Sequence, residues 1–239
     1  MAKSTPENKV SIVDILDQFD PLLRKNLKNN KHTALIPIGS IEQHGSHLPV
    51  STDLDIVNAI AKRLATKMKF ILLPSVSYGI SFEHKPFFNL SIRNSTMQSL
   101  LLDICNSLLE NNIKKIIILN GHHGNQDALK KLERKINKKH VSIFSYWHFM
   151  NDTFDHAGLI ETSLMLAISK NVKMNLAKPG LLLDGMTKKE ILQLSKKAEL
   201  SFPSVTPNGV WGDPTKATAT RGKQLLAEIV NNLAKECKM

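Results

Sequence analysis

Within fourteen residues the chain carries Glu42, His44, His47, Asp53 and Asp55, five side chains of metal-ligand type. The run before them, Ala34–Ile38, is apolar and strand-like and is broken by Pro37 and Gly39. A strand feeding a polar turn is where open α/β folds keep their chemistry, because ligands sit outside the carboxyl ends of the strands. Similar residues come from similar places further on. His122 and His123 follow the apolar run Lys114–Leu119, and Glu161 falls in an expected helix opened by His156-Ala157-Gly158. A parallel sheet would gather Glu42, His44, Asp53, His122 and Glu161 along one edge.

A mixed carboxylate and imidazole set suits Zn²⁺, Mn²⁺ or Fe²⁺. Two such ions carry four positive charges, and three carboxylates with one bridging hydroxide return four negative ones, so a binuclear site on these residues is neutral. Asp53 is the natural bridge: it stands between the Glu42/His44 pair and the later ligands and has two oxygens to share. Two ions ~3.5–4 Å apart would clamp a hydroxide and polarise a substrate carbonyl together. Each residue alone also has a plainer reading. His44 or Asp53 could be a cap or a surface residue, Glu161 a first-turn acid favoured by the helix dipole, and His47 or His123 a packing or orienting group.

The elements that must position these residues alternate along the chain. Strands are expected at Ala34–Ile38, Phe70–Pro74, Lys114–Leu119 and Val141–Tyr146, with a further short one near Leu90. Helical spacing recurs from near Asp53 to Met68, through Leu100–Leu109 behind a Ser95/Gln98 capping box, through Leu129, Leu132 and Ile136, through Ile160–Ile168, behind a Thr187/Glu190 capping box, and through Leu225–Leu233. Strands alternating with helices imply α/β architecture, a three-layer α/β/α sandwich around a mainly parallel sheet. One domain over 1–239 is expected, with 1–32 a peripheral segment holding an amphipathic patch from Val13 to Leu23. Neither a Gly-x-Gly-x-x-Gly turn after the first strand nor a Walker-type Gly-Lys-Ser/Thr occurs, which disfavours those nucleotide-binding folds.

Composition narrows the class. With 42% hydrophobic and 22% charged residues in 239, the chain can bury a substantial core. Cys105 and Cys237 are too few for a disulfide framework and fit a reducing cytoplasm. The N-terminus lacks a signal-peptide core, and no stretch reaches the ~20 apolar residues a membrane span needs, so no membrane partner is expected. The net charge of +11 is spread over lysines in several segments, and aromatics make up only 5%. Nucleic-acid binding is therefore disfavoured, while an anionic substrate stays compatible.

Four ordered motifs closely resemble the creatininase family. They are Glu42-x-His44-Gly45-x-His47-Leu48-Pro49-x-x-Thr52-Asp53, Asn120-Gly121-His122-x-Gly124-Asn125, His156-Ala157-Gly158-x-x-Glu161-Thr162-Ser163 and Gly209-Val210-x-Gly212-Asp213-Pro214. The resemblance implies a cytoplasmic binuclear metal amidohydrolase with two divalent ions, often a homo-oligomer of hexamer size. It carries over Glu42, His44, Asp53 and His122 as ligands, Asp53 bridging, with Glu161 as a fifth. A metal-bound hydroxide would attack an amide carbonyl, and His156, following Asp155, is the candidate acid for the leaving nitrogen; a structural histidine capping the next helix is its other role. His84, His123 and Trp147 are read on the substrate side, Trp147 as a remnant lid or as strand-end packing, and His47 and Asp55 as supports of the ligands.

Departures bear on the substrate. Creatinine-hydrolysing members carry a glutamate where this chain has Gly124, and Phe87-Phe88-Asn89 replaces a Pro-Gly-Thr turn while His84 is kept. The expected activity is hydrolysis of a C–N bond in a small amide or formamide. The basic surface tilts this toward a phosphorylated substrate and a formamidopyrimidine nucleotide deformylase. Creatinine amidohydrolase and precursor-peptide peptidase are the alternatives within the family, and a catalytically inactive metal-binding protein is the alternative outside it.

Overall fold

Along Ala34–Ile38, alternate side chains enter two different cores. Leu35 joins one apolar cluster, and Ala34, Ile36 and Ile38 join another. The run 116–119 divides the same way, with Ile117 and Leu119 on one side and Ile116 and Ile118 on the other. This alternation is the pleat of a strand buried on both faces. A computed structural model describes residues 14–238 and places these runs in a four-stranded parallel sheet. Its strands are β1 (Thr33–Ile38), β2 (Ile71–Leu72), β3 (Lys115–Asn120) and β4 (Val141–Ser145), in the order β2-β1-β3-β4. Leu35 pairs with both Leu72 and Ile117, and Asn120 with Ser145.

Seven α-helices are formed among the described residues: α1 (Asp20–Asn29), α2 (Thr52–Met68), α3 (Asn94–Glu110), α4 (Gln126–Leu132), α5 (Leu159–Ile168), α6 (Lys188–Leu200) and α7 (Ala219–Glu236). Buried residues of α2, α5 and α7 share one cluster with Leu35 and Ile117, while those of α1, α3 and α4 share the other with Ile36 and Ile118. The expected three layers are present, and the sheet is wholly parallel.

Several boundaries differ from expectation for local reasons. Helix α3 starts at Asn94 with Arg93 as N-cap, so Ser95 lies inside the first turn and its capping box with Gln98 does not form. The box of Thr187 and Glu190 does form on α6. Helix α4 ends at Leu132, short of Ile136, and the segment near Leu90 makes only a single antiparallel bridge, Glu42 with Asn89. The second strand is reduced to Ile71–Leu72. Of the N-terminal patch, Val13 lies outside the described residues; Ile15–Asp17 form a 3₁₀ turn and the helix proper begins at Asp20, with Pro21 in its first turn.

The strand order reverses direction between β1 and β3, and that switch point opens the crevice in which α/β sheets bind ligands. Helix α2 starts directly above it. A Cβ at Gly39 would stand 2.8 Å from the Leu54 Cα, and one at Gly121 would stand 2.6 Å from the Val57 Cβ and 2.9 Å from the Asp53 carbonyl. The two glycines that end β1 and β3 thus let the first turn of α2 lie on the sheet edge. Gly121→Ala is expected to cost about 1–3 kcal/mol of stability by overpacking, read as a lower urea midpoint. An unchanged midpoint would show that α2 can shift freely.

Candidate metal centre

Each ligand-type residue sits at a strand's carboxyl end or a helix start. Glu42 and His44 follow β1, Asp53 is the second residue of α2, His122 follows β3, and Glu161 lies in the first turn of α5 beyond β4. All five are buried, none more than 4% exposed. Asp53 lies between two histidines, with Oδ1 3.2 Å from His44 Nε2 and Oδ2 2.8 Å from His122 Nδ1. His44 Nε2 is also 3.6 Å from Glu161 Oε2, and His122 Nε2 is 3.2 Å from Glu42 Oε2.

Backbone carbonyls orient both imidazoles. His44 Nδ1 lies 3.1 Å from the Glu42 carbonyl and His122 Nε2 lies 2.9 Å from the Ile80 carbonyl. A proton on each of those nitrogens donates to the carbonyl and leaves the other nitrogen, His44 Nε2 or His122 Nδ1, facing the carboxylates with a free lone pair. That is the arrangement of a metal-ligating histidine, whose second N–H is spent on fixing the ring.

The carboxylates fit the same reading. Glu42 Oε1, Asp53 Oδ2 and Glu161 Oε1 are buried without an aligned hydrogen-bond donor, although His84 Nε2 comes within 3.2 Å of the first and His122 Nδ1 within 2.8 Å of the second. Buried carboxylate oxygens are costly unless hydrogen-bonded, paired or coordinated. Glu42, His44 and Asp53 form one set able to hold an ion, and the triads Glu42/His84/His156 and His44/His156/Glu161 form two more. Without metal, protons take the cations' place. Burial pushes Glu42 up to about 7 and Glu161 up to about 8, against the pull of neighbouring histidines. Burial opposes charge on His44 and His122, but the surrounding carboxylates raise both to about 10. Asp53 is also disfavoured by burial, yet the His44 and His122 charges hold it well below the usual carboxylate range.

Around this core stands a second set. His84 Nδ1 accepts from the Gln43 side-chain amide at 2.9 Å, which leaves its Nε2–H to Glu42. Gln43, which the sequence reading passed over, also reaches His156 Nε2 at 3.1 Å, and its Oε1 accepts from the Gly45 amide. His156 Nδ1 is 4.0 Å from Glu42 Oε1, and burial together with the His44 charge keeps its ring well below the ordinary histidine pKa. Capping of α5 falls to Asp155, not His156: the Asp155 carboxylate accepts from the Ile160 and Glu161 amides, and burial raises it to about 7. Ala157 takes φ +52, in the left-handed region, and its amide donates to Glu161 Oε2 at 2.7 Å. His47 holds Thr162 Oγ1 at 2.9 Å through Nε2. Asp55 accepts from the Ser51 hydroxyl at 2.8 Å, one helical turn back, and does not join the cluster.

A cavity of about 310 Å³ opens over the centre. Its wall includes His84, His123 and Gly124, with Phe154, Phe202 and Trp211 as the aromatic part. Trp147 is not among these lining residues. The chain after β4 coils into a 3₁₀ turn, Tyr146–Phe149, that buries the indole behind the wall, 4.8 Å from Phe154 between ring centroids. Trp211, from the Gly-rich loop, is the tryptophan facing the cavity, and its backbone pairs with His156 in both directions. Accordingly, Trp211→Ala should raise KM about tenfold, the loss of ~1.4 kcal/mol of contact, while Trp147→Phe should leave KM within about twofold; steady-state kinetics on the two variants tests this.

Position 124 has no room for a side chain, since a Cβ there would collide with the Ile80 carbonyl. The Glu83 carboxylate stands beside it, with Oε1 3.1 Å from that Cβ position, and burial raises its pKa. Glu83, Trp211 and the α6 residues are the wall elements that sequence reasoning missed.

Comparison with known proteins places the chain in one family. A creatininase profile, described as creatinine amidohydrolase, matches residues 21–237. A mycofactocin precursor peptide peptidase of Mycobacterium ulcerans (strain Agy99) is 31% identical over 233 residues, covering 92% of this chain and 90% of its own. A 2-amino-5-formylamino-6-ribosylaminopyrimidin-4(3H)-one 5'-monophosphate deformylase of Methanococcus maripaludis (strain C7 / ATCC BAA-1331) is 31% identical over 211 residues, 83% of this chain and 87% of its own. A mutant creatininase structure described as Zn-Zn type superposes with a TM-score of 0.75 at 22% identity, covering 93% of this chain and 96% of that one. The chain belongs to the creatininase family, whose members hydrolyse C–N amide bonds.

Proposed function

We propose that the protein is a binuclear metal-dependent amidohydrolase that cleaves the C–N bond of a small, unphosphorylated amide or peptide-like substrate. The observation that carries this reading is Asp53, whose two oxygens face two histidines that each spend their other nitrogen on a backbone carbonyl. Glu42 and His122 would hold an ion on one side of Asp53, and His44 and Glu161 an ion on the other. Two divalent ions there, Zn, Mn or Fe, would supply activation of a water molecule and polarisation of the substrate carbonyl.

The chain's own groups do the rest. His84 steadies Glu42, and Gln43 holds the rings of His84 and His156. His156, kept neutral on the cavity wall, can take a proton and pass it to the departing nitrogen. His123 and Trp211 line the cavity and would contact the substrate. A His156→Ala variant should lose about 10²–10⁴-fold in kcat with its metal content intact, the range of a general acid–base group. Full turnover in that variant would remove the role.

The preference for an unphosphorylated amide rests on the wall, which has no Lys or Arg among its described residues. The net charge that favoured a phosphorylated substrate lies elsewhere on the chain. The peptidase relative is similar over nearly the whole chain, and its peptide chemistry suits this cavity better than a nucleotide. A cytoplasmic homo-oligomer, which we take to be a hexamer, completes the reading. No helix among the described residues is long and apolar enough to cross a membrane. Exposed Phe19, the N-cap of α1, and Leu22 within the helix give the surface apolar area that assembly could bury. The test is release of formate, amine or ammonia from a panel comprising short peptides, simple amides, creatinine and a formylaminopyrimidine nucleotide, using enzyme loaded with Zn²⁺, Mn²⁺ or Fe²⁺. Turnover of the peptides or simple amides is expected, and turnover of the nucleotide alone would overturn the preference.

A further inference from the structure

Two distant parts of the chain supply the centre, and a run of hydrogen bonds joins them. Glu42 and His44 lie in the loop between β1 and α2, whereas Glu161 lies in the first turn of α5. His47, in that same loop and 2% exposed, reaches across to α5: its Nε2 is 2.9 Å from the Thr162 hydroxyl. Thr162, wholly buried, places that hydroxyl 3.4 Å from the Ala157 carbonyl oxygen. His47 Nδ1 is buried without a partner and burial keeps the ring neutral, so its single proton sits best on Nε2. Nε2–H then donates to Thr162, and the Thr162 hydroxyl donates to Ala157. The backbone of His47 is itself pinned, because its carbonyl accepts from the Lys173 amide at 2.9 Å.

Ala157 is the strained point of this run. Its φ of +52 lies in the left-handed region, which crowds a β-carbon and which glycine enters freely. A residue with a side chain stays there only where its surroundings impose the conformation. Both polar groups of Ala157 are tied to α5 side chains: the amide donates to Glu161 Oε2 at 2.7 Å, and the carbonyl takes the Thr162 hydroxyl. The residue before it, His156, pairs its backbone with Trp211 in both directions. This one turn therefore sets both how Glu161 faces His44 and where the His156 ring lies on the cavity wall.

We propose that His47 is a positioning residue: through Thr162 it holds Ala157 in the left-handed turn and so keeps Glu161 and His156 in place for the reaction. The inference rests on the amidohydrolase reading and adds a residue to it.

Mn²⁺ affinity by calorimetry and steady-state kinetics are measured for His47→Leu, His47→Gln and the double variant His47→Leu/Ala157→Gly, with urea midpoints to show that each folds. His47→Leu should weaken Mn²⁺ binding about tenfold or more and lower kcat by a similar factor, the range for groups that orient a ligand. KM should stay within about twofold, because no substrate contact is removed. His47→Gln can still donate an amide N–H to Thr162 and should remain close to the parent. Ala157→Gly should recover most of the loss in the His47→Leu background, since glycine holds the turn without the clamp. In crystals of the metal-stripped His47→Leu protein, Ala157 should leave the left-handed region. Should His47→Leu not fold, Thr162→Val, which keeps the shape and removes only the hydroxyl, takes its place in every comparison. Unchanged affinity, a loss that Ala157→Gly does not recover, or an Ala157 that keeps its φ overturns the proposal. If the parent binds Mn²⁺ and hydrolyses no amide, the amidohydrolase reading fails, while the affinities and the crystals still decide the role of His47.

Discussion

Asp53→Asn should lower kcat/KM for any amide the enzyme hydrolyses by about a thousandfold or more, on the order of 4 kcal/mol of lost transition-state stabilisation. Asparagine keeps the size of the side chain and its place in the first turn of α2, so the fold should persist. What it removes is a negative charge and one of the two oxygens that face His44 and His122. On the proposed binuclear reading the site is then short by one charge, and elemental analysis of the variant should find fewer than two ions per chain. Glu161→Gln, at the far side of His44, should show a smaller loss of metal because it faces a single histidine. An Asp53→Asn enzyme with two ions and activity within about tenfold of the parent would mean that the bridge lies elsewhere.

The second large effect is in the pH dependence of the metal-stripped protein. In the folded state His44 and His122 titrate near 10, against 6.5 when unfolded. Between those limits the native state holds more protons than the unfolded one, so stability falls as pH rises. Glu42 at about 7 and Glu161 at about 8, both above their ordinary 4.5, act in the same direction between pH 4.5 and 8. Below pH 6.5 the slope is opposed by His47, held at about 4 by burial and the His44 charge, and by His84, held at about 3 by burial and its charged neighbours, because the unfolded chain protonates them more readily. The stripped protein should therefore lose on the order of a few kcal/mol between pH 6.5 and 10, seen as a falling urea midpoint. Metal competes with the same protons, so the loaded protein should lack this decline and its metal affinity should rise over the same window. A stripped protein whose midpoint stays level from pH 6.5 to 10 would show that the two histidines carry no extra protons.

Much of this was legible in the sequence because the ligand-type residues obey a local rule. Glu42, His44 and His122 follow apolar runs that could only be buried strands, and Asp53 and Glu161 open helices with clear 3.6-residue spacing, so a parallel sheet had to bring them to one edge. The ends of weak elements were not legible. Ser95 and Gln98 have the spacing of a capping box, but Asn94 is drawn into the helix and the N-cap position falls on Arg93, whose side chain makes no capping bond. Trp147 read equally well as lid or packing, and only the coil after β4 decides that its ring is buried behind Phe154. The outer wall left no local trace. Glu83 meets α6 across more than a hundred residues, and Gln43 joins His84 to His156 through its side chain alone. The total charge did not show where the lysines lie, and none of them lines the cavity.

Anomalous diffraction from crystals of the enzyme grown with Mn²⁺ or Zn²⁺, recorded at the metal's absorption edge, locates the ions directly. Two peaks per chain are expected, ~3.5–4 Å apart, with the Asp53 carboxylate between them, Glu42 and His122 on one and His44 and Glu161 on the other. A single peak, or peaks away from Asp53, would contradict the binuclear centre.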